Sequence, residues 1–337
     1  MKNLSIFFLV LTTSFPFASC RETAIPPVGS YSEVLVVTED GRNSRFMPPI
    51  MAELGGDMDF YTSQEKQFTL SVVKAGNLPD FPTFKTIVIL GVADRMNDVG
   101  QLIANLLGDS GIKKVSEGSA FIFKRENRPA PGQMTLIITG RSDDELLNII
   151  EERGKELPDI IESSCRKRLR RFFHEYADNK LGRDLFNKYG FVIEVPTLYK
   201  LMSDASRPPG IELMRQAPTR SLGIFWSEWK RPLTQADEKK LFDIRANYVY
   251  ERYDGDAMDS TRVVFSGAKL GPYSCIKMSG YWLNTRSTAG GCYKTFFIFD
   301  EKKNLLWTVD LLVYAPGSDK NPLFRELLAL AETFRYE

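Results

Sequence analysis

Histidine is almost absent: the 337 residues contain one, His174. A nucleophile–imidazole–carboxylate relay and the usual zinc sites both draw on imidazole. Histidine-rich metal chemistry is therefore excluded, and at most one Cys–His pairing stays open. Cysteine is also sparse, four in all, far from a disulfide-framed scaffold. Charge of one sign is lacking too, since 44 basic residues face 43 acidic ones. Such a balance offers no bulk field for nucleic acid, which is not expected as a partner. Beyond the first 20 residues no apolar run reaches the ~20 residues needed to cross a bilayer. A phosphate-binding glycine loop, a nucleophile elbow and a distinguishable glycosidase-type pair of acids are all missing.

What is present starts at the amino terminus. Lys2 precedes a mostly apolar run from Leu4 to Phe17, broken by Thr12, Thr13 and Ser14. Phe17-Ala18-Ser19-Cys20 then places small residues just before a cysteine, the pattern of a lipobox, although Phe17 stands where leucine is commoner. The expectation is a lipoprotein signal peptide over residues 1–19, cleaved to leave Cys20 as an acylated, palmitate-bearing first residue. A tether over residues 20–30, with Pro26 and Pro27, would lead to a soluble, periplasmic body held at the inner or outer membrane. An ordinary secretory signal cut near Ala18 is the rival reading, and it also exports the chain. Expected partners are the membrane, through the anchor, and an envelope protein or glycan; no cofactor or metal is implied. With Cys20 acylated, Cys165, Cys275 and Cys292 remain. A Cys275–Cys292 bridge is disfavoured because the two fall at opposite ends of adjacent strands.

Hydrophobic periodicity divides the remainder into three stretches. Residues 31–158 form a first domain with strands at Glu33–Val37, Phe68–Lys74 and Lys85–Val92, and a helix at Met47–Gly55. Asp94 or Asn97 caps a further helix that Gly108 and Gly111 end. A hairpin of Ala120–Lys124 and Met134–Thr139 follows, and Ser142 with Glu145 makes a capping box. Residues 159–189 read as connecting helices, with Pro158 breaking the helical run. Residues 190–337 form a second domain. It has strands at Phe191–Val195, Leu222–Lys230, Ser274–Leu283, Cys292–Phe299 and Leu305–Tyr314, and an irregular segment from Pro196 to Gly210. Thr234 caps a helix to about Glu251, and Pro322 opens the last helix. Strands adjacent in sequence are mostly antiparallel candidates without regular βαβ alternation. The fold class is therefore α+β, two tandem sheet-and-helix layers. The layout of the second is loosely similar to PsbP-like and Mog1-like modules.

Four stretches together resemble an uncharacterised family of exported bacterial lipoproteins, domain of unknown function 4837. They are Gly29-Ser30-Tyr31-Ser32-Glu33-Val34-Leu35-Val36-Val37; Gly190-Phe191 with Val195-Pro196 and Tyr199; Gly280-Tyr281-Trp282 with Gly290-Gly291; and Val313-Tyr314-Ala315-Pro316-Gly317 with Asp319-Lys320. Cys292 departs from the pattern, standing where the family often has proline. The resemblance implies no reaction and no ligand, so it assigns no catalytic residue.

Candidate chemistry is thin. Cys292 could serve as a nucleophile if His174 came near, but His174 lies among Phe172, Phe173 and Tyr176 on a helix and reads as a packed or exposed surface group. Asp310 interrupts an apolar strand and needs a partner, for which Lys277 or Arg286 are the candidates; an ion pair on a solvated sheet face is its simplest reading. The basic run Arg166-Lys167-Arg168-Leu169-Arg170-Arg171 reads as a solvated helix face, or as a surface for anionic headgroups. Trp226, Trp229, Tyr281, Trp282 and Trp307 read first as core aromatics, with a sugar or peptide groove lined by Trp226 and Trp282 as the alternative. Gly290-Gly291 reads as a tight turn. The favoured expectation is a non-enzymatic binding or accessory module. Its contact surface would draw on Trp282, Arg286, Gly290, Gly291, Tyr314 and Asp310. The alternative is an envelope hydrolase or thiol enzyme using Cys292 or Asp310.

Overall fold

The computed structural model describes residues 29–60, 63–80, 84–128, 132–206, 209–253 and 256–336. The leader, Cys20 and nearly all of the tether lie outside the described residues.

The first half contains β1 (Glu33–Thr38), α1 (Met47–Leu54), the hairpin β2 (Asp57–Phe60) and β3 (Ser63–Lys66), β4 (Thr69–Lys74), β5 (Thr86–Val92), α2 (Asp98–Ser116), β6 (Ile122–Glu126), β7 (Met134–Gly140) and α3 (Asp143–Arg153). Five strands make a sheet in the order β4-β1-β5-β7-β6. All neighbours in it run parallel except β6 and β7. This corrects the antiparallel expectation for the first half. The cause is visible in the strands: short β-branched runs, apolar on both faces, suit a parallel sheet covered on each side. Leu35, Val37, Ile87, Ile89 and Ile137 face Val99, Ile103 and Leu107 of α2. Val34, Val36, Val88, Leu90, Leu136 and Ile138 face Ile50 of α1 and Leu146 and Ile150 of α3.

Two helix ends refine the sequence reading. The Asn97 side chain caps α2 by accepting from the Gly100 amide at 2.9 Å. Gly108, expected to end that helix, instead kinks it with φ of 63°, and helical residues continue to Ser116 because Val115 is buried on the sheet. Ser142 accepts from the Glu145 amide at 3.2 Å, while the Glu145 carboxylate returns to the Arg141 amide at 2.6 Å rather than to that of Ser142.

The second half begins with α4 (Leu157–Glu175), whose Pro158 lies in the first turn, and α5 (Asn179–Tyr189), ended by Gly190 at φ 73°. It continues with β8 (Phe191–Val192), β9 (Lys200–Ser206), β10 (Pro209–Arg215), β11 (Thr219–Glu228), α6 (Glu238–Arg252), β12 (Asp256–Met258), β13 (Val264–Leu270), β14 (Tyr273–Asn284), β15 (Gly290–Asp300), β16 (Leu305–Tyr314), α7 (Asn321–Ala331) and β17 (Arg335–Tyr336). The large sheet runs β12-β14-β15-β16-β11-β10-β9, with β13 on the same edge of β14 as β12, and every pair is antiparallel. The chain as a whole is α+β, with sheet-and-helix layers in both halves. Strands β9 and β10 replace the irregular segment expected there. The expected strand from Phe191 to Val195 is only the two residues of β8, paired with β17.

One face of the large sheet packs on α6, through Leu241, Tyr293, Phe297, Leu306 and Trp282. The other packs on α7, α4 and α5, through Leu327, Phe324, Leu169, Phe173 and Leu185. Helix α4 serves both halves, since its Ile161 and Cys165 belong to the first core and its Leu169 and Phe173 to the second. Phe60 of β2 also crosses, stacking on Phe324 with ring centroids 6.1 Å apart. Charge reinforces the junction. The Arg325 guanidinium of α7 donates to Glu162 of α4 at 2.8 Å and to Ser32 Oγ at 2.6 Å. The buried Glu65 carboxylate of β3 accepts from the amides of Lys320 at 2.7 Å and Asn321 at 2.8 Å, placing an anion at the amino end of α7, where the helix dipole favours it.

Candidate functional site

A cleft of about 590 Å³ opens between the β14–β15 turn and the turn joining β16 to α7. Gly290, Gly291 and Thr288 line one side, and Tyr314, Pro316 and Asp319 the other. The side chains of Thr288, Tyr314, Pro316 and Asp319 are exposed.

The glycines act through close approach rather than through turn geometry. Neither has a positive φ. A Cβ on Gly291 would fall 2.2 Å from the Val313 carbonyl oxygen and 2.8 Å from Trp282 Nε1, and one on Gly290 would fall 3.0 Å from the Trp282 oxygen. Only glycine lets strand β15 lie this near the indole. Trp282 is thereby held beneath the cleft, 5% exposed, with its ring centroid 6.0 Å from that of Tyr314. Its Nε1 has no hydrogen-bond partner among the described residues. Trp282 therefore supports the cleft floor and does not present a surface of its own.

Residues 178–333 match the family described as Domain of unknown function (DUF4837). The matched stretch opens at Asp178, the cap of α5, and closes just after α7, so it holds the large sheet and the whole cleft. Three of the four stretches that carry the DUF4837 resemblance fall inside it; Gly29 to Val37 precedes it. Among solved structures, that of LpqN, described as involved in cell envelope biogenesis of Mycobacterium tuberculosis, is similar at 16% identity over 43% of this chain and 81% of that one, with a TM-score of 0.29. A likeness of that grade has no weight for fold or function. No curated protein matches the chain.

Of the residues expected at a contact surface, the structure gathers Trp282, Gly290, Gly291 and Tyr314 around the cleft. Arg286 stands on the same turn, exposed, with its amide donating to Asn284 Oδ1 at 2.9 Å, but it is not part of the lining.

Asp310 belongs elsewhere, and its expected setting is corrected. It lies on the sheet face that α6 covers, 2% exposed, outside the lining of the cleft. Its partner is neither Lys277 nor Arg286 but Arg245, whose Nε and Nη2 donate to the two carboxylate oxygens at 2.8 and 3.0 Å. Thr295 Oγ1 donates to the same carboxylate at 2.6 Å. The Arg245 guanidinium lies 3.6 Å from the Tyr293 ring centroid, so cation–π contact adds to the ion pair. Nearby, burial raises the Glu212 carboxyl above its usual range, although Tyr253 and Ser221 hydrogen-bond it. Burial likewise pushes the Tyr293 hydroxyl up to about 12. A bidentate pair sealed from water is a tie between helix and sheet. Arg245 was missed in the sequence, where the available signal was a cation four residues after Leu241 on the apolar side of α6.

His174 and Cys292 have different settings. His174 is on the surface near the end of α4, its Nδ1 3.0 Å from Glu194 Oε1 and its side chain 77% exposed. Cys292 is a buried residue of β15, opposite Tyr281 and Val313. No disulfide joins Cys165, Cys275 or Cys292. Cys275 lies on β14 beside Ile276, which pairs with Phe297, whereas Cys292 pairs with Tyr281, and this register keeps the two thiols apart. No group of three or more His, Cys, Asp or Glu residues suited to a metal occurs among the described residues. No helix among them is long and apolar enough to cross a membrane.

Proposed function

We propose that this protein is a lipid-anchored component of a bacterial cell envelope, acylated at Cys20, whose cleft holds a segment of another envelope component, protein or glycan. The cleft carries the reading. It is open and walled by two exposed turns, and a buried tryptophan outside its lining packs against the two glycines of one wall. Such a surface offers backbone groups and an aromatic ring, Tyr314, to an extended ligand, and suits holding more than transforming. The leader pattern supplies the address and the DUF4837 match supplies no reaction.

The test has two arms. Radiolabelled palmitate is expected to enter the wild-type chain and not Cys20→Ser; equal labelling of both would sink the anchor. A photo-crosslinking residue at Ser318 is expected to yield one specific adduct in intact cells, lost when Tyr314→Ser is added. An adduct that persists in the double variant, or that arises equally from a probe at the exposed Lys239, defeats the cleft assignment.

A further inference from the structure

A second cavity, of about 510 Å³, lies at the seam where β2 and α7 meet β14 and β15 of the large sheet. Phe60, Phe324 and Tyr281 supply aromatic walls, and Ser279 and Cys292 supply small polar groups. Lys294 projects into it from β15, in register with Ser279 of β14 and partly accessible. Its Nζ lies 4.6 Å from the Phe324 ring centroid and has no hydrogen bond or ion pair among the described residues.

An ammonium in that position is costly without a counter-ion, because burial strips water from the charge. The carboxylate nearest in electrostatic effect, Glu162 of α4, is already engaged by Arg325 of α7. Lys277 of β14 adds a second positive charge to the neighbourhood. No carboxylate lines the cavity among the described residues, while Arg262 stands in its lining with Asp259 at 3.9 Å. The chamber is thus lined by two cationic side chains, Lys294 and Arg262, with aromatic rings around them.

We infer that this cavity is a binding site for a small amphipathic carboxylate, its anionic head paired with Lys294 and its apolar body against the aromatic wall of Phe60, Phe324 and Tyr281. The volume matches the lower part of the ~300–1,000 Å³ range of small-molecule sites. Phe60 comes from the first half and Phe324 from the second, so an occupant would touch both. This site is separate from the cleft and does not depend on its assignment.

Burial pushes the Lys294 ammonium down to about 8, with Lys277 and Arg325 acting in the same direction and Glu162 and Cys292 against it. The other cations near it are Lys277, Arg262 and Arg325. Affinity for an anion is therefore expected to fall about tenfold between pH 7 and pH 9, as Lys294 loses its proton in the unliganded protein.

The full chain is probed with 4-phenylbutanoate and, as the uncharged control, 4-phenylbutanamide. Competitive labelling with trace acetic anhydride, read peptide by peptide, follows Lys294 itself in the wild-type protein. The acid is expected to slow acetylation of Lys294 at least fivefold and to leave exposed lysines such as Lys239 unchanged, and the amide is expected to leave both unchanged. Direct binding of the acid is expected to weaken at least tenfold in Lys294→Met and to stay within threefold in Lys294→Arg. Protection by both probes alike, absence of protection by the acid, or undiminished binding in Lys294→Met would each overturn the site. Lys294→Arg keeps the charge and so separates a lost counter-ion from a misfolded strand.

Discussion

The strands of the first sheet bury no charged residue among those described, whereas those of the second bury Glu212, Arg220, Asp300 and Asp310. The helices packed on the second sheet add Arg245 and Arg325. The difference follows from how each sheet is covered. The parallel sheet is enclosed by α1, α2 and α3 with the first turns of α4, and its strands bury no charge. The antiparallel sheet is covered by helices that come from distant parts of the chain. Their seats are fixed by polar ties whose two ends lie far apart in sequence, Arg245 with Asp310 and Arg325 with Glu162. Apolar packing supplies most of the cohesion in both halves, and the buried ions specify where each helix sits.

The contrast can be broken most directly at Arg245. Arg245→Met leaves Asp310 buried and unpaired, and is expected to lower unfolding free energy by about 3–5 kcal/mol in denaturant titration. Adding Asp310→Leu should recover most of that loss, because an apolar pair of similar volume needs no counter-ion. Glu65→Ala removes the anion from the amino end of α7 and strands the Lys320 and Asn321 amides. The expected cost is about 1–3 kcal/mol, together with a shallower denaturant dependence as the halves lose cooperativity. In the first sheet, Thr135→Val deletes only the bond from Thr135 Oγ1 to the Arg128 oxygen, 2.7 Å, and should cost about 1 kcal/mol. If Arg245→Met proves no more costly than Thr135→Val, the distinction between the two sheets fails.

A pH series sharpens it. Lys294 titrates near 8 in the folded chain and near ~10.4 when unfolded. Between those values the unfolded chain holds more protons, so stability gains with rising pH. Wild-type protein is expected to gain on Lys294→Met in thermal melts from pH 8 to about 9.8. Parallel curves for the two proteins would contradict this. The smallest effect is expected at His174→Ala, where the exposed contact with Glu194 should leave the melting temperature unmoved.

The elements themselves were largely legible in the sequence. Strands β1, β5 and β7 announce themselves as β-branched runs, α7 opens at Pro322, and Gly190 stops α5. What sequence adjacency does not carry is pairing. The parallel order of the first sheet depends on which strands meet after a crossover, and the Asp310 partner comes not from a neighbouring strand but from a helix, 65 residues away in sequence. Strands β9 and β10 are hard to read because Lys200, Ser203 and Asp204 blur the alternation of β9, the edge strand, where solvent tolerates polar side chains, and Pro209 opens β10. At the cleft, Gly290-Gly291 and the turn after Tyr314 stood out as unusual, and the structure sets them face to face. That Gly291 exists to clear an indole and a carbonyl, and that Lys294 sits in an aromatic chamber, are facts of cross-strand register that no linear pattern displays.

Because α4 lends residues to both cores, the stretch matched by DUF4837 is not a self-sufficient fragment. A recombinant piece starting at residue 178 would forfeit Leu169 and Phe173, expose the underside of α7, and leave Arg325 without Glu162. Such a truncation is expected to precipitate, whereas a chain retaining residues 29–336 would stay dispersed.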